Sequence, residues 1–257
     1  MKIKINPKYE EMRSFFERIP DVFEQEGRCI FEGRNVIKAF HVKLDGTEKE
    51  VVVKRYKQPN FIQKIGYSFF RSTKACRAYE NALRLMAGGF ATPEGFGYIE
   101  TRVKGLIDYC YFISDVDNSM PINDQLNSLE EFNRVMAADY AHFVNRLHQK
   151  GIIDIDLNAG NVLYQLQADG HYTFSLIDIN RMKFYSGYPP MKECVENLTR
   201  FTGRMDVFEC VAREYVKQRG MDEKILQKII EAKKIHDWRW AHRKGILHYF
   251  KQKRLGL

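Results

Sequence analysis

The chain has 257 residues, of which 44% are hydrophobic and 29% charged, a composition typical of a globular protein with a buried core. No apolar run approaches the ~18 residues that a membrane span needs, and the charged N-terminus does not resemble a signal peptide. We therefore expect a cytoplasmic protein. Its five cysteines are scattered without a C-x-x-C pair, which predicts reduced thiols and disfavours a zinc site.

The positive charge is concentrated at one end of the sequence. The formal net charge is +8, and residues 224–257 contain ten Lys or Arg and only two acidic residues. The remaining residues carry equal numbers of acidic and basic side chains. A nucleic-acid-binding domain would spread its cations over a face of the fold, so this distribution argues against nucleic acid as a partner.

The first half of the chain predicts strands around one long helix. A short leading helix is predicted over residues 8–18, and helical periodicity followed by Gly-Gly predicts a helix over 72–89. β-Branched and aromatic runs predict strands in the remaining segments. These segments are 29–42 (strand, turn, strand), 51–57, 97–99 and 106–114.

The second half predicts mainly helices. Residues 120–149 are helical in pattern, and Ser128 with Glu131 predicts a capping box at the start. Short strands are predicted within 151–166 and 172–179, and helices from Pro190 to the end. The order of elements predicts an α+β fold.

Polar side chains cluster in the loop between the two short strand regions. This group comprises Asp154, Asp156, Asn158 and Asn161, and Asp178 follows within the apolar run SLIDI. Burying a carboxylate is costly without a partner, and Mg²⁺ prefers oxygen ligands, so Asn161 and Asp178 are candidate metal ligands. The same residue types are also common turn formers at strand ends, and that alternative stays open.

The segment LHQKGIIDIDLNAGN (147–161) resembles the catalytic loop of protein-kinase-like enzymes. LIDIN (176–180) is similar to their D-F-G region, VVVK (51–54) to their V-A-I-K strand, and Glu80 to the glutamate that pairs with its lysine. This resemblance implies a bilobal fold with a small antiparallel N-lobe (1–114) that contains one αC-type helix. A hinge (115–117) and a mainly helical C-lobe (118–257) would complete a single domain.

DLNAGNVLY, LIDINR and ENLTRF resemble segments of the lipopolysaccharide kinase (Kdo/WaaP) family, and most of all its 3-deoxy-D-manno-octulosonic acid (Kdo) kinases. The family resemblance implies ATP-dependent phosphorylation of a sugar hydroxyl on Kdo-lipid A, in the inner core of lipopolysaccharide. It also implies a location at the cytoplasmic face of the inner membrane of a Gram-negative bacterium.

The resemblance also implies site roles. Lys54 would contact the α- and β-phosphates and Glu80 would orient Lys54, while Asn161 and Asp178 would hold Mg²⁺ and Asp156 would accept the hydroxyl proton. The expected nucleotide contacts share an apolar or backbone character. They are Gly33, Val36, Val52, Asp115 in the hinge, Leu163 and Ile177.

Several positions depart from the protein-kinase pattern. Gly33 is the one glycine of the expected Gly-rich loop, where Arg34 and Asn35 either hold phosphate or form the turn. Asp154 and Ile155 replace the histidine and arginine of H-R-D, and no A-P-E follows Asp178, which favours a small or glycan acceptor. Arg181 and Lys183 are candidate contacts for an anionic acceptor or are simply solvated.

The basic C-terminal segment predicts a helix with an apolar stripe. The stripe comprises Ile235, Trp238, His242, Ile246 and Tyr249. It either packs on the C-lobe or forms, with the surrounding cations, a surface for an anionic membrane. For the whole chain, two other functions stay open: a small-molecule or atypical protein kinase of the same fold, and an inactive pseudokinase that acts as a binding module.

Overall fold

The computed structural model describes the backbone of residues 1–255 and the side chains of residues 1–243. The chain folds into two compact units. The first contains residues 1–118 together with 175–181, and the second contains residues 119–174 and the chain from Met182 onward. The short segment 175–181 carries Asp178, so this aspartate belongs to the first unit.

A six-stranded antiparallel sheet forms the body of the first unit, in the order β1-β5-β6-β4-β3-β2. Its strands are β1 (Lys2–Ile5), β2 (Arg28–Glu32), β3 (Val36–Leu44), β4 (Thr47–Arg55), β5 (Gly95–Val103) and β6 (Leu106–Asp115). The predicted strands over 29–42, 51–57, 97–99 and 106–114 are confirmed, and each edge differs by a few residues at most except in β5, which is longer.

Three helices accompany this sheet: α1 (Arg13–Val22), α2 (Phe61–Phe69) and α3 (Lys74–Ala87). A 3-10 turn over Pro7–Met12 precedes α1. α1 packs its apolar side, including Phe16 and Ile19, on one face of the sheet, where Val51 and Val53 of β4 are fully buried. The helix predicted over 72–89 is confirmed as α3, whose N-cap Thr73 accepts a hydrogen bond from the amide of Cys76.

The pairing of β3 with β4 decides which side chains lie on the same face as Lys54. Ile37 is the direct partner of Lys54, and Ala39 is the partner of Val52. Side chains alternate along a strand, so Ile37, Ala39, Val52 and Lys54 share the face opposite to α1.

As far as the structure describes it, the second unit contains short strands and the α-helices α4 (Arg134–Gln149), α5 (Met191–Leu198), α6 (Met205–Gln218) and α7 (Glu223–Leu255). Its strands are β7 (Met120–Pro121), β8 (Ile152–Asp154), β9 (Val162–Leu166), β11 (Met182–Phe184) and the first three residues of β10 (Tyr172–Leu176), whose end lies in the first unit. β10, β9 and β7 form one small sheet, and β11 pairs with β8 in another. The expected strands around a polar loop and the helices after Pro190 are confirmed.

The predicted capping box at Ser128 is wrong. Residues Asp124–Ser128 form a short π-helical turn, and α4 begins only at Arg134. Asn133 is the N-cap, because its Oδ1 accepts a hydrogen bond from the amide of Met136 at 2.9 Å. Both Ser and Asn are favoured caps, so the residue types alone did not separate the two positions.

Of the two alternatives for the C-terminal stripe, packing on the C-lobe is not seen for the side chains that the structure describes. α7 buries Leu226, Ile229 and Ile230 near its start, whereas Ile235, Trp238 and His242 are exposed. Ile246 and Tyr249 lie outside the described side chains. Over the described residues, no helix is both long and apolar enough to cross a membrane.

Candidate active site

Lys54 and Asp178 form the central ion pair of the first unit. Lys54 Nζ lies 2.5 Å from Asp178 Oδ1, and both side chains are largely shielded from solvent. The ammonium also lies 5.2 Å from the centre of the Tyr56 ring. Burial raises the pKa of the Tyr56 phenol well above its usual range, and the negative charge of Asp178 adds to the rise. Tyr56 therefore stays neutral as an apolar wall beside the pair.

Asp178 has a left-handed backbone conformation, with φ of +55°. Aspartate is one of the few residues besides glycine that adopts this region with moderate strain. Asn180 Nδ2 donates to Asp178 Oδ1 at 2.8 Å, so one carboxylate oxygen accepts from both Lys54 and Asn180. The arrangement leaves Oδ2 as the oxygen that could ligate a cation.

The backbone around Asp178 is anchored by bonds from the rest of the first unit. Before it, Leu176 bonds with its amide to the carbonyl of Ala91 at 3.1 Å and with its carbonyl to Thr92 Oγ1 at 2.7 Å. After it, two side chains of α3 donate to consecutive carbonyls. Asn81 Nδ2 lies 2.6 Å from the Ile179 carbonyl, and Arg77 Nε lies 3.1 Å from the Asn180 carbonyl. Ala91 and Thr92 thus fix the segment before Asp178, and α3 fixes the segment after it.

Glu80 lies on α3 as expected but is not brought to Lys54. Its side chain is exposed and accepts a hydrogen bond from the Cys76 thiol at 3.5 Å. Among the described side chains, the carboxylate that pairs with Lys54 is Asp178.

Two of the expected nucleotide contacts, Val36 and Gly33, do not lie on the strand face that carries Lys54. Val36 pairs with Arg55 and packs against the core on the α1 side of the sheet, so it faces away from Lys54. Ile37 occupies the Lys54 face in its place, because the one-residue offset reverses the side. Gly33 lies in the tight turn between β2 and β3, where its amide donates to the Asn35 carbonyl.

Asp115 ends β6 and has most of its polar atoms engaged. Its amide donates to the Glu94 carbonyl at 2.9 Å, and its carboxylate pairs with Lys49 at 2.8 Å and accepts the Val116 amide. Val52 and Ile177 are half-buried in the first unit, and Leu163 is buried in the second. The bonds of Asp115 fix the chain around this residue.

In the second unit, the loop after β8 is folded around the backbone carbonyl of Asp156. This carbonyl accepts from Asn161 Nδ2 at 2.9 Å, from Asn158 Nδ2 at 2.9 Å and from the Asn158 amide at 2.8 Å. Asp154 Oδ1 accepts the Asp156 amide at 3.0 Å. Since the nitrogen of Asn161 is engaged, its Oδ1 is the atom oriented for a hard cation.

A buried polar network is hydrogen-bonded to this loop at Asp154. Asn197 Nδ2 donates to the Asp154 carbonyl, and Asn197 Oδ1 contacts His148 Nε2 at 3.0 Å. His148 Nδ1 contacts the Tyr215 hydroxyl at 2.7 Å. Burial lowers the pKa of His148 to about 4 despite the Asn197 bond, so the imidazole is neutral near pH 7. Arg219 Nη1 also donates to the Tyr215 hydroxyl at 2.7 Å, so a single cation lies at the end of an otherwise uncharged network.

Asp154 therefore has a structural role in the loop, since it is 1% exposed and bonds to the Asp156 backbone. Lys183 pairs with Glu193 at 2.7 Å. Asn197 and Asn81 were not singled out from the sequence as site residues. Asn197 lies in the family-like segment ENLTRF, so the resemblance of that segment could have identified it. Asn81 had no such signal, because its partner is a backbone carbonyl 98 positions away.

Over the described residues there is no cluster of three or more His, Cys, Asp or Glu side chains arranged for a metal. A magnesium ion bound with a nucleotide needs fewer protein ligands, because phosphate oxygens and water complete its shell. The oxygen atoms of Asn161 and Asp178 are of the type that it prefers.

The antiparallel sheet with α3, the Lys54–Asp178 pair and the asparagine-rich loop define a protein-kinase-like fold. A sequence model of the lipopolysaccharide kinase (Kdo/WaaP) family matches residues 32–221. The chain therefore belongs to the lipopolysaccharide kinase (Kdo/WaaP) family, and it is a phosphotransferase by that membership.

A solved structure described as WaaP in complex with acyl carrier protein is similar in fold, with a TM-score of 0.58. The two chains are 15% identical, and the match covers 91% of this chain and 99% of the other. No curated protein matches the sequence. The family and the fold expected from the sequence are confirmed.

Proposed function

We propose that the protein transfers the γ-phosphate of ATP to a hydroxyl of Kdo in the inner core of lipopolysaccharide. The observation that carries the proposal is the Lys54–Asp178 pair, at 2.5 Å, in a chain of this kinase family. A pseudokinase would not need all four of these residue types, and Lys54, Asp156, Asn161 and Asp178 are all present in the sequence.

In this proposal, Lys54 neutralises phosphate charge and Asp178 and Asn161 supply oxygen ligands to Mg²⁺. Bound magnesium would offset the negative charge that phosphoryl transfer concentrates on the phosphate oxygens. Asp156 accepts the proton of the acceptor hydroxyl, and the bonds at its carbonyl hold its backbone in place. Positioning and charge are the main contributions that a protein makes to this reaction.

For the nucleotide, we propose that Val52, Leu163 and Ile177 contact the adenine ring. Ile37 replaces Val36 in this set because it shares the Lys54 face of the sheet. Residues 115–117 act as the hinge of a single kinase domain, and the turn at Gly33 covers phosphate. Glu80 has a smaller part than the resemblance implied, since Asp178 pairs with Lys54.

We further propose that the protein acts at the cytoplasmic face of the inner membrane, because its acceptor is a lipid-linked, anionic sugar. The basic segment 224–257 supports this location, and α7 exposes Trp238 and Trp240 within it. The family and the charge distribution give no support to nucleic acid as a partner.

The test is phosphorylation with labelled ATP and Mg²⁺ of four acceptors: Kdo-lipid A, lipid A without Kdo, an aminoglycoside and a mixed peptide library. We expect label only in Kdo-lipid A, and mild acid hydrolysis should release it with the sugar. Labelled lipid A without Kdo would contradict the acceptor, and labelled peptide or aminoglycoside would replace the proposal with another kinase activity.

A further inference from the structure

α2 exposes an unusual number of large apolar side chains. Phe61, Ile62, Phe69 and Phe70 are 69, 79, 68 and 82% exposed. Single exposed apolar residues are common on proteins, but a group on one short element marks a surface that contacts something else. Ile62 and Phe69 are seven positions apart, which places them on one side of the helix, and the Phe69 and Phe70 rings lie 6.3 Å apart.

The other side of α2 is fixed to the sheet, so the exposure does not reflect a loose helix. Lys64 pairs with Asp108 at 2.7 Å, and Ser68 Oγ accepts the Ile107 amide at 2.9 Å, both on β6. Asn60 and Gln63 form a reciprocal capping box at its start. The fold therefore presents the phenylalanines outward from a rigid base.

The sequence around α2 is strongly basic. Residues 51–79 contain seven Lys or Arg and no Asp or Glu, although Lys54, Arg55 and Lys64 pair with acidic side chains of other segments. Lys57 and Arg71 are exposed and lie at either end of the helix. The overall neutrality of residues 1–223 conceals this stretch, because acidic residues elsewhere balance it. The two exposed cations, Lys57 and Arg71, lie beside the exposed phenylalanines in sequence.

We propose that α2 docks the protein on an anionic lipid bilayer, with Phe61, Ile62, Phe69 and Phe70 in the interfacial region. Apolar side chains that enter the headgroup boundary and cations that meet anionic headgroups are the two components of interfacial helix binding. Aromatic side chains account for three of the four residues. The surface is made of other residues than the basic segment 224–257, and its binding to lipid does not depend on the proposed acceptor.

α2 lies between two elements of the first unit that take part in the candidate site. α2 connects β4, which carries Lys54, to α3, which carries Arg77 and Asn81. Lys54 precedes Phe61 by only seven residues. The docked helix therefore lies next in sequence to both elements that position Asp178.

The direct test is co-sedimentation of the full-length protein with phosphatidylcholine vesicles, with and without 30% phosphatidylglycerol, in the absence of ATP and acceptor. We expect binding to the anionic vesicles, and Phe69→Ser/Phe70→Ser should weaken it by at least about tenfold. Lys57→Gln/Arg71→Gln should weaken it by about tenfold through lost charge.

Matched controls remove equivalent groups elsewhere. Val135→Ser/Leu166→Ser deletes two exposed apolar side chains of the second unit, and Lys4→Gln/Lys43→Gln deletes two exposed cations of the sheet. Both should bind like wild type. Equal binding by the α2 variants and wild type would overturn the proposal and leave residues 224–257 as the membrane-binding element.

Fluorescence separates the two surfaces. In a Trp238→Phe/Trp240→Phe background, the tryptophan introduced by Phe70→Trp is the fluorophore. Brominated lipids should quench its fluorescence, since the ring at position 70 enters the interface. An unquenched Trp at position 70 would contradict insertion. Two protein partners are tested as alternatives: a second copy of the chain, seen as concentration-dependent dimers without lipid, and acyl carrier protein, bound only when Phe69 and Phe70 are present. Either result would overturn the lipid assignment if the variants bound vesicles as tightly as wild type.

Discussion

Two parts of the candidate site are held in place by different forces. Asp178 is held by a charge pair with Lys54 at 2.5 Å and by donors on α3. The loop of Asp156 is held by amide hydrogen bonds and by the neutral His148–Asn197 network. A charge pair responds directly to an incoming phosphate or metal, whereas a neutral network keeps its geometry when charges arrive. We infer that Asp178 adapts to the nucleotide and that Asp156 is preorganised for the acceptor.

The strongest test of this difference is Asp156→Asn. The base acts on the acceptor, so we expect kcat to fall by about 1,000-fold while ATP affinity changes by no more than a few-fold. Steady-state kinetics with Kdo-lipid A and calorimetry with ATP measure the two quantities. Asp169→Asn, in an exposed turn of the second unit, is the matched control and should behave as wild type. A mutant that keeps normal turnover would remove Asp156 from the mechanism.

The neutral network should make the second unit sensitive to acid. The pKa of His148 is about 4 in the folded protein, against about 6.5 when unfolded. Between these values the unfolded chain binds a proton that the folded chain does not, so stability is complete above pH 6.5 and falls toward pH 4. The loss amounts to about 3 kcal/mol of unfolding free energy.

His148→Gln supplies the comparison for this effect, because it cannot titrate. Denaturant unfolding between pH 7 and pH 4 should show a steeper decline for wild type than for the variant, although the variant is less stable at pH 7. Parallel pH dependences of the two proteins would show that His148 is not buried in its neutral form.

Lys54→Met tests the part of the site that is held by the Lys54–Asp178 charge pair. We expect kcat/KM for ATP to fall by about 100-fold, because the phosphates lose a cation and Asp178 loses its partner. Glu50→Gln is a suitable control on the same strand, since it also breaks an ion pair, the one with Arg28. Unfolding free energies should be similar for both variants. An equal kinetic loss in the control would point to damage of β4 and not to a phosphate role.

The smallest effect is expected for Glu80→Ala. Glu80 is exposed and contacts Cys76, whereas Lys54 already pairs with Asp178, so activity should fall only a few-fold. A loss as large as that of Lys54→Met would show that Glu80 moves to the lysine during catalysis. The same assay that measures Lys54→Met resolves the two cases.

Local patterns predicted the strands, α3 and the family segments because each depends on a few neighbouring residues. The motifs around Lys54, Asp156, Asn161 and Asp178 could be found for the same reason. The face of Val36 could not, since it depends on the register of β3 against β4. Asn197 and Asn81 bond to backbone groups far along the chain, and α2 has a glycine and aromatic residues that weaken its helical signal.

The two α3 side chains that anchor the segment after Asp178 bond to main-chain oxygens only. Every residue has the same backbone carbonyl, so these two hydrogen bonds depend on the backbone conformation and not on the side chains of the residues that they anchor. Ile179 and Asn180 can therefore stand where protein kinases have Phe-Gly without loss of the support for Asp178. We therefore expect position 179 to tolerate other apolar residues, whereas a change of Arg77 or Asn81 removes part of the anchor.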